Sequence, residues 1–203
     1  MSAALATEPE GTSQSRLRLH VVVCSTRPGR VGAAVAQWFA DEAVRHGVFE
    51  VELVDLRSFN LPVFDEPKHP RLGEYEHEHT RTWSAKVRQG DAFVFVTPEY
   101  NHLPPASLIN AMTYLSKEWN YKAAAFVSYG GVSGGLRGVQ VARSLLAALR
   151  MSTVGEAIVV SNVPGLLDNE GKFAPTPSMI AAVEPLLREL LKVTQSLRPL
   201  RTV

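Results

Sequence analysis

Three short segments of the chain place glycine beside side chains that could hold a charged or flat ligand. The first, residues 25–32 (STRPGRVG), brings two hydroxyls and two arginines to the point where an apolar run gives way to a helical pattern. Free N–H groups and the dipole at a helix N-terminus favour an anion, and a guanidinium group can pair with two phosphate oxygens. We therefore predict a phosphate-binding loop here; the alternative is an ordinary helix start with exposed arginines.

Two common nucleotide-binding motifs are missing from the sequence. It contains no Gly-x4-Gly-Lys-Ser/Thr string, so hydrolysis of a nucleoside triphosphate is not expected, and it contains no Gly-x-Gly-x-x-Gly string. Asp55 ends the second predicted strand, where a dinucleotide fold keeps its ribose-binding acid. Because the glycine motif is missing, we interpret Asp55 as a strand-end or turn residue.

The second and third segments, residues 97–102 (TPEYNH) and 128–135 (SYGGVSGG), are suited to a flat ligand. A ring with a polar edge, such as a flavin, needs a planar wall with donors and acceptors, which Tyr100, Asn101 and the backbone amides could supply. Four glycines in eight residues exceed the needs of a turn, so we expect that backbone to contact something flat or to be strained. His102 is interpreted as a surface or packing residue, with proton transfer as the alternative.

The other reactive side chains are not expected to act. His77 and His79 lie two residues apart in a predicted helix, where their side chains would diverge, so no metal site is predicted. Cys24 lies at a strand end and is expected to be packed rather than reactive.

Apolar runs, which predict strands, alternate along the chain with segments of helical periodicity. The predicted strands and helices position the three segments. Since each crossover helix must pack on a sheet, five strands alternating with five helices predict an α/β fold, a doubly wound five-stranded parallel sheet with helices on both faces. Ligands of such sheets bind beyond the carboxyl ends of the strands, where all three segments fall. The predicted strands are residues 17–23, 49–56, 91–96, 122–128 and 153–160. The predicted helices are residues 31–46, 73–89, 105–117, 136–151 and 178–197.

Composition narrows the classes of function. The 203 residues carry 21 Lys and Arg against 20 Asp and Glu, a net charge of +1, so no long-range field would attract nucleic acid or an anionic membrane. The single cysteine excludes an internal disulfide and fits a reducing cytoplasm. No apolar run approaches the roughly 18 residues of a spanning helix. Residues 1–15 are predicted to be a disordered tail and residues 16–203 a single domain.

The three segments, in this order, resemble those of the NADPH-dependent FMN reductase family, and the Pro-Glu-Tyr-Asn string at 98–101 is the most specific of them. The resemblance covers roughly residues 17–160. It implies a flavodoxin-like fold, FMN as cofactor, NADPH or NADH as electron donor, and a quinone, azo compound or free flavin as small-molecule acceptor. It also implies a homodimer or homotetramer in which the helices after the third and fourth strands pack together.

The same resemblance implies roles for individual residues, with the flavin rather than a side chain carrying the chemistry. His102 and Leu103 stand where many members have a small residue, on the acceptor side of the ring, and Cys24 stands where many have glycine. The residues implied to hold the FMN phosphate are Ser25, Arg27, Arg30, Val31 and Gly32. Those implied to line the ribityl chain and ring are Pro98, Glu99, Tyr100 and Asn101. Those implied to close on the pyrimidine side are Ser128, Tyr129, Gly130 and Gly131, with Gly134 shaping the loop.

Two further interpretations remain open at this stage. An apolar patch could serve the partner subunit, with core packing as the explanation for at least half of it; its residues are Leu108, Ile109, Met112, Tyr114, Leu115 and Trp119. The alternative function is a flavodoxin-like electron carrier or flavin sensor without NAD(P)H turnover. Such carriers usually have strongly acidic docking surfaces, which a net charge of +1 does not indicate. An FMN-free interaction domain would not need Ser25, Arg27 and Arg30 together.

Overall fold

The structure, a computed structural model, describes residues 16–202, so the predicted tail at residues 1–15 lies outside the described residues. One parallel sheet has the strand order β2-β1-β3-β4-β5, with helices on both faces, which confirms the predicted architecture. The strands are β1 (Arg18–Val23), β2 (Glu50–Asp55), β3 (Ala92–Pro98), β4 (Ala123–Tyr129) and β5 (Ser152–Val160). The helices are α1 (Gly32–His46), α2 (Glu78–Gln89), α3 (Ala106–Thr113), α4 (Leu136–Ala148) and α5 (Pro177–Leu197).

The sheet is the centre of two apolar layers. Helices α1 and α5 cover one face, through side chains such as Phe39 and Leu187. Helices α2, α3 and α4 cover the other face, where Trp119 packs against both Trp83 and Phe93. Every residue of β3 and β4 is buried, as expected for central parallel strands covered on both faces. The core therefore holds β1, β3 and β4 side by side and fixes where their following loops begin.

Helix α4 ends at Ala148, three residues before its predicted end, and two other helices are each five residues shorter than predicted, for reasons that the sequence pattern does not contain. The second begins at Glu78 rather than at residue 73, because the Glu66 carboxylate accepts hydrogen bonds from the backbone N–H groups of Glu76 and His77 and holds that segment out of a helix. The third ends at Thr113 rather than at residue 117, since Ser116 has a non-helical backbone (φ −135°, ψ −70°). Neither change moves the strand ends.

The predicted apolar patch is mostly core, which confirms the core-packing explanation for five of its six residues and removes them from a partner surface. Leu108, Met112, Tyr114, Leu115 and Trp119 are each at most 1% exposed, whereas Ile109 is 36% exposed. The helical spacing could not distinguish a sheet-facing stripe from a partner-facing one, because both produce the same periodicity.

The prediction that His77 and His79 diverge is also wrong. His77 precedes α2 instead of lying within it, and the two rings stack with their centroids 5.1 Å apart. His79 Nε2 lies 3.0 Å from Asp65 Oδ1, and Tyr114 donates to the same oxygen at 2.8 Å. Asp65 thus ties the long loop after β2 to α2 and to the end of α3. Within residues 16–202, no group of three or more His, Cys, Asp or Glu side chains is arranged to hold a metal.

No helix in the described part of the chain has both the length and the apolarity to cross a membrane.

His20 is a buried ionisable group within the sheet. Its ring is 1% exposed, packs edge-on against Phe93 and places Nε2 3.2 Å from Glu52 Oε2. Burial lowers the pKa of His20, Lys86, Lys122 and Arg18 add to the decrease, and Glu52 opposes it, so that the pKa is about 4. The folded protein consequently holds His20 neutral at pH values where the unfolded chain would bind a proton.

We predict that this histidine makes the protein less stable in mild acid. Above pH 6.5 the ring is neutral in both states and contributes no pH dependence; between pH 6.5 and about 4 only the unfolded chain gains the proton, so the free energy of unfolding falls. The full loss is up to about 3 kcal/mol at about 1.4 kcal/mol per pKa unit. Denaturant titrations of wild type and His20→Gln from pH 7.5 to 4 measure it. Equal pH dependence in the two proteins would contradict the prediction.

Candidate flavin site at the carboxyl edge of the sheet

The loops that follow β1, β3 and β4 emerge at one edge of the sheet, as predicted. Val23 at the end of β1 pairs with Val96, and Pro98 at the end of β3 pairs with Tyr129 at the end of β4. The Cys24 N–H donates to the Val96 carbonyl at 3.0 Å and continues this alignment into the first loop. From β1 the chain passes to β2 on one side, whereas β3 lies on the other, which is the reversal in strand order where such sheets bind ligands.

The first loop leaves cationic and N–H groups unsatisfied. The Arg27 side chain is exposed and makes no hydrogen bond or ion pair with any described residue. Helix α1 begins after Val31 without a side-chain cap and has no acidic residue in its first turn. The four N–H groups at the start of a helix have no partner within it, so this end of α1 attracts an anion.

Arg30 is placed differently from Arg27. Its guanidinium forms a close ion pair with the Asp55 carboxylate and is largely buried, with its side chain 11% exposed. Asp55 also accepts the Arg57 N–H at 3.0 Å, which agrees with its interpretation as a strand-end turn residue. The Arg30 guanidinium thus joins the first loop to the end of β2, and its predicted contact with a phosphate stays a prediction.

Three hydroxyl groups meet beneath and beside the first loop. The Tyr100 Oη atom lies 2.7 Å from Ser25 Oγ, although the two residues are 75 positions apart in the sequence. Tyr129 packs below, so close to Gly32 that a Cβ atom there would collide with the phenol ring. Only glycine therefore fits at position 32 beside Tyr129. The sequence pattern did not reveal this reason for the glycine. Burial raises the pKa of the Tyr129 phenol, which stays protonated.

The second loop turns sharply at its two predicted contact residues. Asn101 and His102 both have left-handed backbones, with φ of 53° and 70°. Tyr100 and Leu103 exchange backbone hydrogen bonds of 2.8 and 3.1 Å across them. This is the geometry of a two-residue hairpin turn, for which asparagine is well suited. The turn holds the Tyr100 side chain over the first loop.

The Glu99 side chain joins the second loop to the third. Its carboxylate accepts hydrogen bonds from Ser133 Oγ at 2.7 Å, from the Arg137 N–H at 3.0 Å and from the Gly138 N–H at 3.3 Å, and it pairs with the Arg137 guanidinium at 2.8 Å. Burial raises the pKa of Glu99, but these hydrogen bonds outweigh burial and leave the pKa below its ordinary value. The carboxylate is therefore anionic and stabilises the start of α4.

Arg137 also holds the His102 ring in place. Its guanidinium lies 2.6 Å from His102 Nε2. A guanidinium only donates, so in this hydrogen bond Nε2 is the acceptor. Sequence reasoning could not position Arg137; the available signal was its place in the first turn of the helix that follows the glycine-rich segment.

The third loop presents backbone and one buried hydroxyl. Ser128 Oγ is buried and has no hydrogen-bond partner among the described residues. A Cβ atom on Gly131 would meet nothing within 4 Å, so a flat group could approach that backbone closely, whereas a Cβ on Gly134 would collide with Val159. The missing Cβ at Gly134 thus lets the loop pack closely against β5.

These features fit FMN. A dianionic phosphate matches the uncapped N-terminus of α1 and the unpaired Arg27 guanidinium. The unpartnered Ser128 hydroxyl and the open backbone at Gly131 match the polar edge and flat face of an isoalloxazine ring. Beside the first loop lies a cavity of about 500 Å³, on the side of β2 and α3; its lining includes Thr26, Leu56, Arg57, Leu61 and Ile109.

Comparison with known proteins agrees with this reading. The chain is 40% identical over 131 residues to an NAD(P)H-dependent FMN reductase of Schizosaccharomyces pombe, a match that covers 64% of this chain and 66% of that one. It is 27% identical over 191 residues to a probable NADPH:quinone oxidoreductase of Oryza sativa subsp. japonica, with 89% and 86% covered.

A solved structure shows the same fold. The flavoenzyme NAD(P)H:(acceptor) oxidoreductase FerB of Paracoccus denitrificans superimposes with a TM-score of 0.71 at 16% identity, covering 89% of this chain and 98% of that one. This confirms the flavodoxin-like fold. The sequence pattern described for NADPH-dependent FMN reductases matches residues 17–165, about three quarters of the 203 residues, and includes all three loops. On these grounds the chain belongs to the NADPH-dependent FMN reductase family.

Proposed function

We propose that this protein binds FMN at the carboxyl edge of the sheet and uses it to pass electrons from NAD(P)H to a small acceptor, namely a quinone, an azo compound or free flavin. The observation that carries the proposal is the first loop, where an uncapped helix start and an unpaired arginine lie together. Family members named as FMN reductases and quinone oxidoreductases support the reaction class. FMN, when bound, supplies hydride acceptance and delivery.

The residues of the three loops divide the work of binding. In the proposal the phosphate is held by the first loop, the ribityl chain and ring lie against the second, and the third covers the pyrimidine edge. The phosphate residues are Ser25, Arg27, Arg30, Val31 and Gly32. The ribityl and ring residues are Pro98, Glu99, Tyr100 and Asn101, of which Glu99 acts through its backbone because its carboxylate is engaged by α4. The pyrimidine-edge residues are Ser128, Tyr129, Gly130 and Gly131, with Gly134 shaping the loop.

The protein's own contribution to catalysis is positioning and electrostatic. Donors fixed at the polar edge of the ring stabilise negative charge that develops there during reduction. The Ser128 hydroxyl is available for this, since it has no partner in the described chain. The Arg137 guanidinium holds the His102 ring on the acceptor side, so this ring is placed to shape access.

A homodimer or homotetramer in the cytoplasm is part of the same proposal. Four apolar side chains stay 42% to 88% exposed near the second and third loops: Leu103, Val132, Leu136 and Val141. Leu136 and Val141 belong to α4, one of the two helices that the family resemblance assigns to subunit contact, and Leu103 and Val132 lie in the loops that precede α3 and α4. Exposed apolar side chains close together favour association. The buried, unreactive Cys24, whose thiol pKa is raised by burial, is compatible with a reducing compartment.

Replacing Arg27 with alanine should weaken FMN binding. Loss of a charge-assisted contact to phosphate costs about 1.5 to 3 kcal/mol, which corresponds to roughly a ten- to hundredfold rise in Kd. Titration of flavin fluorescence measures it. Arg188→Ala is the matched control, because it removes the same charge from the exposed face of α5. An unchanged Kd in Arg27→Ala would remove the basis for the phosphate loop.

The electron-transfer step is tested by an anaerobic absorbance scan of the FMN-loaded protein before and after addition of NADPH or NADH. We expect rapid bleaching of the flavin band, and the faster reaction identifies the preferred donor. Bound flavin that does not bleach would instead support an electron carrier or sensor. Failure to bind flavin would overturn the proposal as a whole.

A further inference from the structure

We propose that Tyr100 is a positioning residue for the FMN phosphate: its hydroxyl fixes Ser25 so that the serine proton points at the phosphate, and the protein thereby prefers FMN to riboflavin. This inference rests on the proposed function, since it takes the first loop as the phosphate site. It assigns to the Tyr100 side chain a role separate from lining the ring.

The contact between the two hydroxyls is specific and well supported. Ser25 is fully buried, and Tyr100 Oη lies 2.7 Å from its Oγ. The reciprocal hydrogen bonds between Tyr100 and Leu103 fix the backbone from which the phenol extends. Tyr100 is 37% exposed, so its ring forms the boundary between the buried serine and the open edge of the sheet.

We assign Tyr100 as the donor to Ser25 from the hydrogen-bond capacity of the serine and the acidity of the two hydroxyls. A serine hydroxyl has one proton and accepts through two lone pairs. The Arg27 N–H donates to Oγ at 3.4 Å, and a phenol, which is more acidic than an aliphatic alcohol, is the better donor toward the same atom. With both accepting positions filled, Ser25 retains its own proton for a third partner.

A phosphate oxygen is the best available third partner. Tyr129 lies close enough to Ser25 to interact with it, but its phenol is a neutral acceptor. Hydrogen bonds to an anionic acceptor are roughly twice as strong as those between neutral groups, so a phosphate at the start of α1 takes the serine proton. Successive hydrogen bonds from Tyr100 to Ser25 to phosphate also polarise one another.

A comparison of FMN with riboflavin distinguishes the proposed role of Tyr100 from a general effect of this residue on the site. Riboflavin has the ring and ribityl chain of FMN but no phosphate, so the orientation of the Ser25 proton has no influence on its binding through that contact. A residue that only packs against the ring or supports the fold would change the affinities for both flavins together. The ratio of the two affinities therefore reports the proposed role directly.

The test is to measure the Kd of FMN and of riboflavin for wild type and Tyr100→Phe by quenching of flavin fluorescence. The substitution removes one oxygen and keeps the aromatic ring. We expect the Kd for FMN to rise about three- to tenfold, as for loss of one hydrogen bond, with the Kd for riboflavin unchanged within twofold. Tyr121→Phe is the matched control, because it removes the same oxygen at the opposite edge of the sheet.

A second comparison shows whether the effect passes through Ser25. In a Ser25→Ala background, Tyr100→Phe should change the FMN affinity no further, since residues that act through one contact are not additive. Thermal unfolding of each variant confirms that the fold is retained.

Several results would overturn the inference. An unchanged Kd for FMN in Tyr100→Phe, equal losses for FMN and riboflavin, or full additivity with Ser25→Ala would each do so. Tighter FMN binding in Tyr100→Phe would show that the phenol competes with the phosphate instead of supporting it. Wild-type protein that binds neither flavin would overturn the proposed function itself, which keeps the two failures distinguishable.

Discussion

The hydrogen-bonded alignment of β1, β3 and β4 is the constraint on which the site depends. Because parallel neighbours run in register, the ends of the three strands differ by only a few residues, and their loops must emerge side by side. Full burial of β3 and β4 makes a slip in register costly, since it would move each side chain into the opposite apolar layer and disrupt the packing of both. The core thus sets the spacing between the first and second loops.

Side-chain hydrogen bonds and ion pairs also hold the loops together. Glu99 joins the second loop to α4 through four donors, and the Tyr100–Ser25 pair joins it to the first loop. Each contact satisfies a group that would otherwise be costly to bury, so the loops are held in one arrangement before any ligand is considered. Such preorganisation lowers the ordering cost that binding has to overcome.

The arginines around the site differ in whether each one is already paired with a carboxylate. Arg30 is committed to Asp55 and Arg137 to Glu99, whereas Arg27 has no partner in the described chain. An arginine already paired with a carboxylate contributes little net charge to an incoming anion. The free guanidinium beside the N-terminus of α1 is therefore the arginine best placed to pair with an incoming anion.

Much of the fold and of the site followed from the sequence alone. The alternation of apolar runs and helical patterns predicted five strands, five helices and a parallel sheet, because only that architecture buries all of those faces. The string at residues 97–102 and the glycine-rich segment predicted ligand-binding loops, since parallel strands necessarily present such segments at one edge. These features depend on local pattern and chain topology, and the order of the three loops identified the family.

Only the tertiary structure decided which side chains meet. The Ser25–Tyr100 contact, the Arg30–Asp55 pair and the Glu99 network join residues 25 to 75 positions apart, and no local pattern encodes such distances. Because local patterns do not encode distant contacts, the sequence also predicts a possible interface at the patch around Tyr114 and diverging side chains for His77 and His79. Helical periodicity marks an apolar face but not what covers it, and a helix start depends on a distant carboxylate such as Glu66.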